Sequence, residues 1–211
     1  MMEFPMRRCP PGNSPTKKIT PFESQNESFY RANAYIYAKS HNEVRIIAYK
    51  ERTKPKLLRI YEVLSTRMSL DWENQQYYLN HQKGFEGEGV LDESTETLPP
   101  GCLVLNDLLL EHRNSFFQID ALLVCADTLV LLEAKNYEGV HYWGAEKFTK
   151  STGTVLENPY LQLQKSKVKL EILLQSLSCR MKVEAYVVYV NPEFILLQAQ
   201  NNDNYILPSQ I

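Results

Sequence analysis

The side chains best suited to chemistry in this chain come in two short groups. Gln118-Ile119-Asp120 is followed, after twelve residues, by Glu133-Ala134-Lys135. Both groups lie at the edges of apolar runs that read as β-strands. Side chains alternate faces along a strand, so Glu133 and Lys135 point one way and Ala134 the other. By the same rule Gln118 and Asp120 share a face. Two carboxylates with a lysine beside them can hold a divalent metal and activate water against a phosphodiester. Without a metal, two buried acids are costly unless paired or solvated. The competing reading of Glu133 and Lys135 alone is a structural ion pair at a strand end.

These strands need a scaffold, and the periodicity supplies one. From Pro55 onward, Leu57, Leu58, Tyr61 and Leu64 form a helical stripe. A second helix is expected from about Leu70 into the low nineties. It carries Gly84, Gly87 and Gly89, each costing about 1 kcal/mol against Ala, so either close approach of backbone or ligand or a break in the helix is expected there. Strands are expected at 102–110, 116–124 and 129–136. The first has Asn106-Asp107 in its middle, and 112–115 reads as the turn after it. A tight turn at Ala126-Asp127-Thr128 joins the next two strands, which leaves Asp127 outside the chemical set. Glu138-Gly139 turns the chain into a further strand over 141–148. Asn158 caps, and Pro159 opens, a helix reaching about Leu177. A β-branched strand follows at 183–190, and a last one at 194–197. This order implies an α/β fold, a mixed β-sheet flanked by helices. Five prolines and many Ser and Asn mark residues 1–44 as a disordered extension. Residues 45–69 form a helical flank, 70–200 the folded domain, and 201–211 a tail.

Composition narrows the function classes. A net charge of −2 and a pI near 6.1 argue against coating nucleic acid by charge alone. The charge is uneven, however. Residues 45–68 hold seven Lys and Arg against two Glu, and Lys165, Lys167 and Lys169 lead a second basic stretch. Such stretches suit a phosphate backbone, although for charge runs taken alone solvated helix faces are the better reading. No apolar run approaches a membrane span. The four cysteines are far apart in sequence, and Cys102 and Cys125 sit in apolar strands, so buried free thiols and a reducing, cytoplasmic setting are expected.

Four pieces occur together in one order: Gly84-x-x-Gly87-Glu88, Gln118-Ile119-Asp120, Glu133-Ala134-Lys135-Asn136 with Gly139, and Asn158-Pro159-x-x-Gln162. In this the chain resembles the nuclease-related domain family of the PD-(D/E)xK nuclease superfamily, over about residues 70–191. The resemblance implies a restriction-endonuclease-like core and a metal-dependent nuclease acting on nucleic acid, DNA first. It implies Mg²⁺ or Mn²⁺ held by Asp120, Glu133 and the Ala134 carbonyl, with Glu88 binding directly or through water. Lys135 would orient or deprotonate the attacking water, and Gln162 would contact the scissile strand or the nucleophile. Gln118 would steady Asp120, and Gly84 and Gly87 would let the helix pass close to the site. Relatives often continue beyond this point, so the 201–211 tail is expected to be truncated.

Two other functions fit the same residues. A non-catalytic module could keep the fold and bind nucleic acid or protein through its basic rims. A structural domain with a Glu133–Lys135 ion pair would bind neither metal nor nucleic acid. Stabilisation by Mg²⁺ or Mn²⁺ separates the first reading from both.

Overall fold

The structure is a computed structural model that describes residues 48–98, 101–144, 147–199 and 204–211. The expected disordered extension at 1–44 lies outside the described residues. Helix α1 spans Lys56–Arg67 and α2 spans Trp72–Thr95, capped by Asp71, whose side chain accepts from the Asn74 N–H. Strands β1 (Leu103–His112), β2 (Ser115–Val124) and β3 (Thr128–Lys135) follow as an antiparallel meander. Arg113 and Asn114 both have positive φ, 49° and 60°. That is the mirror-image two-residue turn whose twist suits a hairpin.

The predicted strand at 141–148 is two strands instead, β4 (Gly139–Tyr142) and β5 (Phe148–Lys150), with β6 (Val155–Leu156) after them. Trp143-Gly144 follows β4, and Gly144 approaches the chain so closely that a Cβ on it would lie 2.6 Å from the Lys147 carbonyl. Helix α3 spans Pro159–Ser176, with Asn158 as its cap and Pro159 in its first turn, as expected. Then come β7 (Lys182–Tyr189), β8 (Phe194–Leu197) and β9 (Tyr205–Ile206). The segment expected to be a tail thus contributes a strand and a short 3₁₀ turn, Pro208–Gln210. Its two strand residues gave no periodicity to read.

The main sheet has the order β1-β2-β3-β7-β9, with β7 parallel to both β3 and β9. A smaller sheet, β6-β5-β4-β8, lies beside it, so β8 is not a further strand of the main sheet. The alternation of β3 places Val130 and Leu132 in one core with Leu91 of α2. It places Leu129 and Leu131 in the other, with Leu163 and Leu170 of α3 and with Trp143, Phe148 and Phe194 from around the small sheet. The result is α2 on one face of a mixed sheet, and α3 with the small sheet on the other, the expected α/β architecture.

Cys102 and Cys125 are not free thiols. They flank the first β1–β2 pair, Leu103↔Val124, and are joined by a disulfide at a Cα–Cα separation of 4.4 Å. That separation matches the closer, non-hydrogen-bonded pair spacing of an antiparallel ladder. A separation of 23 residues in sequence hid a partnership that the hairpin register creates. The reasoning from unpaired cysteines to a reducing compartment therefore loses its basis. No helix among the described residues is long and apolar enough to cross a membrane.

Candidate active site

The pairing of β2 with β3 ends at Ala121↔Leu132, while β3 runs on against β7 as far as Lys135↔Tyr189. The two strands therefore splay apart just where the chemical residues stand. The Val190 N–H donates to the Lys135 carbonyl, so the backbone of Lys135 faces β7. That of Ala134 faces the gap, and its N–H donates to Asp120 Oδ2 at 2.9 Å. In an extended strand the N–H and C=O of one residue point to the same side. The Ala134 carbonyl consequently opens toward the gap as well.

Glu133 and Lys135 share a face, as the alternation required. Lys135 Nζ lies 2.8 Å from Glu133 Oε1 and donates to Gln162 Oε1 at 3.1 Å. Gln162 sits on the first turn of α3 and so is directed at the site rather than at solvent. Burial alone would lower the Lys135 pKa, but the carboxylate of Glu133 outweighs it and holds the ammonium above its ordinary value. Burial pushes the Glu133 and Asp120 carboxyls up, against the pull of Lys135 on both and of the Ala134 N–H on Asp120.

Glu88 comes from α2. Burial, with Asp120 second, raises its pKa to about 7. Glu88, Asp120, Glu133, Lys135 and Gln162 line one cleft of about 960 Å³. The fold thus brings together five of the residues singled out from sequence.

Other expected residues stand elsewhere. Gln118 does not steady Asp120; its amide donates to Asp107 Oδ1 at 2.8 Å. The cause is a slip in alternation at this point of the sheet. Phe117 and Ile119 belong to the α3-side core, whereas Ala121 and Leu123 belong to the α2-side core. Asp107, at the corresponding point of β1, has a left-handed φ of 53°, which Asp tolerates better than most residues. Lys165, Lys167 and Lys169 do not line the cleft. They lie near Glu157, near Glu171 and over the Phe117 ring respectively. Lys83 and Lys150 line the cleft instead. Gly84 lines it too, but a Cβ there would meet nothing within 4 Å, so close approach is not its role.

Sequence reasoning missed Arg52 and Asp107. The Arg52 side chain is 4% exposed and forks onto Asp92, with Nε and Nη2 donating at 2.9 and 3.0 Å. Its Nη1 donates to Glu88 Oε2 at 2.5 Å and its Nη2 to the Asp120 carbonyl at 2.7 Å. It was hidden inside a basic run that reads as solvated surface. Asp107 did carry a signal, a charge in the middle of an apolar strand.

The family model described as the nuclease-related domain matches residues 83–190, about half of the chain. The chain belongs to the nuclease-related domain family. No curated protein and no solved structure matches it. The span matched by the nuclease-related domain holds Glu88, Asp120, Glu133, Lys135 and Gln162. Arg52 lies outside that span, although it touches two of these residues.

A divalent cation is what the family resemblance implies for such a site. Among the described residues no three His, Cys, Asp or Glu side chains form a metal-binding group by themselves. The donors at the gap are instead the Asp120 and Glu133 carboxylates and a backbone carbonyl, with Glu88 on the same cleft. All are hard oxygens, which suit Mg²⁺ and Mn²⁺. Mg²⁺ commonly keeps several waters and needs few carboxylates. A cation would also relieve the burial and repulsion that push these three carboxyls up. The residues fit the ion.

Proposed function

We propose that this nuclease-related domain hydrolyses phosphodiester bonds in nucleic acid, DNA first, with Mg²⁺ or Mn²⁺ as cofactor. The observation that carries the reading is the convergence of Asp120, the Ala134 carbonyl, Glu133 and Lys135 where β2 and β3 part. Asp120, Glu133 and the Ala134 carbonyl would hold the cation, and Glu88 would reach it through water. Bound there, the ion supplies an acidified water and neutralises charge on the scissile phosphate.

The chain's own groups supply the rest. Lys135, an ammonium held between Glu133 and Gln162, is a donor rather than a base at neutral pH. It orients the attacking water and offsets charge on the phosphoryl oxygens as they become more negative. Gln162 fixes the lysine's direction. Lys83, paired with Glu138 at 2.9 Å, and Lys150 line the same cleft and are the cations there suited to flanking phosphates. Water attacks in line: phosphorus gains the water's oxygen and releases the bridging oxygen, while the proton lost by the water passes to solvent and the leaving oxygen takes one from solvent in turn.

The test is incubation of the purified chain with supercoiled and linear DNA in Mg²⁺, Mn²⁺ or EDTA, beside Asp120→Ala and Lys135→Ala. Metal-dependent cleavage, lowered by about 10²–10³-fold or more in both variants, is expected. DNA binding with no cleavage in any metal would leave the domain a binding module.

A further inference from the structure

One extended segment outside the family match, Ala48 to Lys54, reaches the site from the side. Backbone bonds dock it on β1: the Tyr49 N–H donates to the Val104 carbonyl at 2.8 Å and the Asn106 N–H to the Lys50 carbonyl at 2.9 Å. Lys50 and Arg52 are two residues apart and act on the same irregular point of the sheet. Lys50 Nζ donates at 2.6 Å to the carbonyls of both Asn106 and Asp107, where β1 takes its left-handed step. Arg52 spans from α2 to β2. It takes Glu88 and Asp92, which share a helix face at i and i+4, and the carbonyl of Asp120.

We propose that Arg52 is a positioning residue of the nuclease site, fixing Glu88 of α2 against Asp120 of β2 so that both face the cation. The inference rests on the proposed metal-dependent reading. Three features favour positioning over simple charge balance. The side chain is almost fully buried and does not line the cleft. It uses its planar fork bidentately on Asp92, which anchors it to a residue that does not line the cleft. From that anchor its remaining donors set two atoms on different elements, Glu88 Oε2 and the Asp120 carbonyl. A lysine keeps the charge but offers three donors from one point, and cannot hold all of these acceptors in the same geometry.

The experiment is Mn²⁺ binding to the full chain, read from the paramagnetic resonance signal of free Mn²⁺. Wild type is compared with Arg52→Lys, Arg52→Met and Asp92→Asn, with circular dichroism in EDTA as the folding control. Asp92→Asn weakens the anchor while leaving the Arg52, Glu88 and Asp120 side chains themselves unaltered, and it serves if the Arg52 variants fail to fold. Loss of groups that orient metal ligands typically weakens metal affinity by about 10–100-fold, and that range is expected for both Arg52 variants. A smaller loss in the same direction is expected for Asp92→Asn. Folded Arg52→Lys binding Mn²⁺ as wild type does would overturn the inference. So would unchanged affinity in Asp92→Asn should the Arg52 variants not fold. In either case the metal reading itself would stand. Wild type that binds no Mn²⁺ would overturn both together.

Discussion

A Cβ placed on Gly87 would lie 2.5 Å from the Cβ of Asn136. Helix α2 therefore meets the chain just beyond β3 with no room for a methyl group. Asn136 cannot easily give way. Its Nδ2 donates to the Lys83 carbonyl at 2.8 Å, and its Oδ1 accepts from Asn191 Nδ2 at 3.0 Å. Through this contact the helix that carries Glu88 is seated against the strand that carries Glu133 and Lys135.

Gly87→Ala should destabilise the fold by about 1–3 kcal/mol, the usual cost of an inserted methyl group in a packed contact. It should also lower cleavage at temperatures where the variant stays folded, because Glu88 is the next residue. Gly84→Ala is the control three residues away. It has open space and should be neutral or stabilising by up to about 1 kcal/mol, the helix propensity difference. Urea denaturation of both variants decides the matter. Equal effects would mean that the contact at Gly87 is not what requires glycine there.

Glu88 should make stability depend on pH. Its carboxyl is pushed up to about 7, by burial first and by Asp120 second, against the opposing charge of Arg52. A carboxyl raised in the folded state favours the fold when protonated. Its contribution is complete below the ordinary value of 4.5 and is lost as pH rises through about 7. Glu88→Gln keeps an acceptor for Arg52 and removes the titration. It should therefore match wild type near pH 4.5 and be more stable above pH 7. The gain should be on the order of 1 kcal/mol, reduced by the partial exposure of the site. Thermal melts in EDTA across this pH range test it. A gain already complete at pH 4.5 would rule out titration as its source.

How far the sequence disclosed this arrangement depended on how local each signal was. The face shared by Glu133 and Lys135 follows from strand alternation, and the Asn158 cap from its neighbours, so both were legible. Gln162 could be placed on the first turn of a helix, but its contact with Lys135 needed the packing of α3. Gln118 was misplaced because alternation fails at Asp120, where Asp107 turns left-handed on the partner strand. A period-2 rule cannot see such a step. Arg52 was illegible for a different reason. Its partners lie 36, 40 and 68 residues away, and nothing local distinguishes a buried arginine from its solvated neighbours. Lys165, Lys167 and Lys169 lie off the cleft, which the sequence could not show, since a basic run on a helix states charge without stating direction.

The Cys102–Cys125 disulfide closes the β1–β2 hairpin at the end remote from its tight turn. Constraining a loop of this length typically adds about 2–4 kcal/mol to stability. Both cysteines are buried, at 6% and 8% exposure, so a variant must also keep the apolar contacts around them. Reduction, or the double substitution Cys102→Ala with Cys125→Ala, should lower the unfolding free energy by that amount. A single Cys125→Ser should cost more, because its hydroxyl would be buried among Leu123, Val130 and Val188. The bond lies several residues along β2 from Asp120, and the Ala134 N–H holds that carboxylate independently. Cleavage per folded molecule should therefore survive reduction, while the midpoint of denaturation falls. Peptide mapping of the oxidised chain, with denaturation in the presence and absence of reductant, measures both. Complete alkylation of both thiols in the unreduced, unfolded protein would show that the bond does not form in solution.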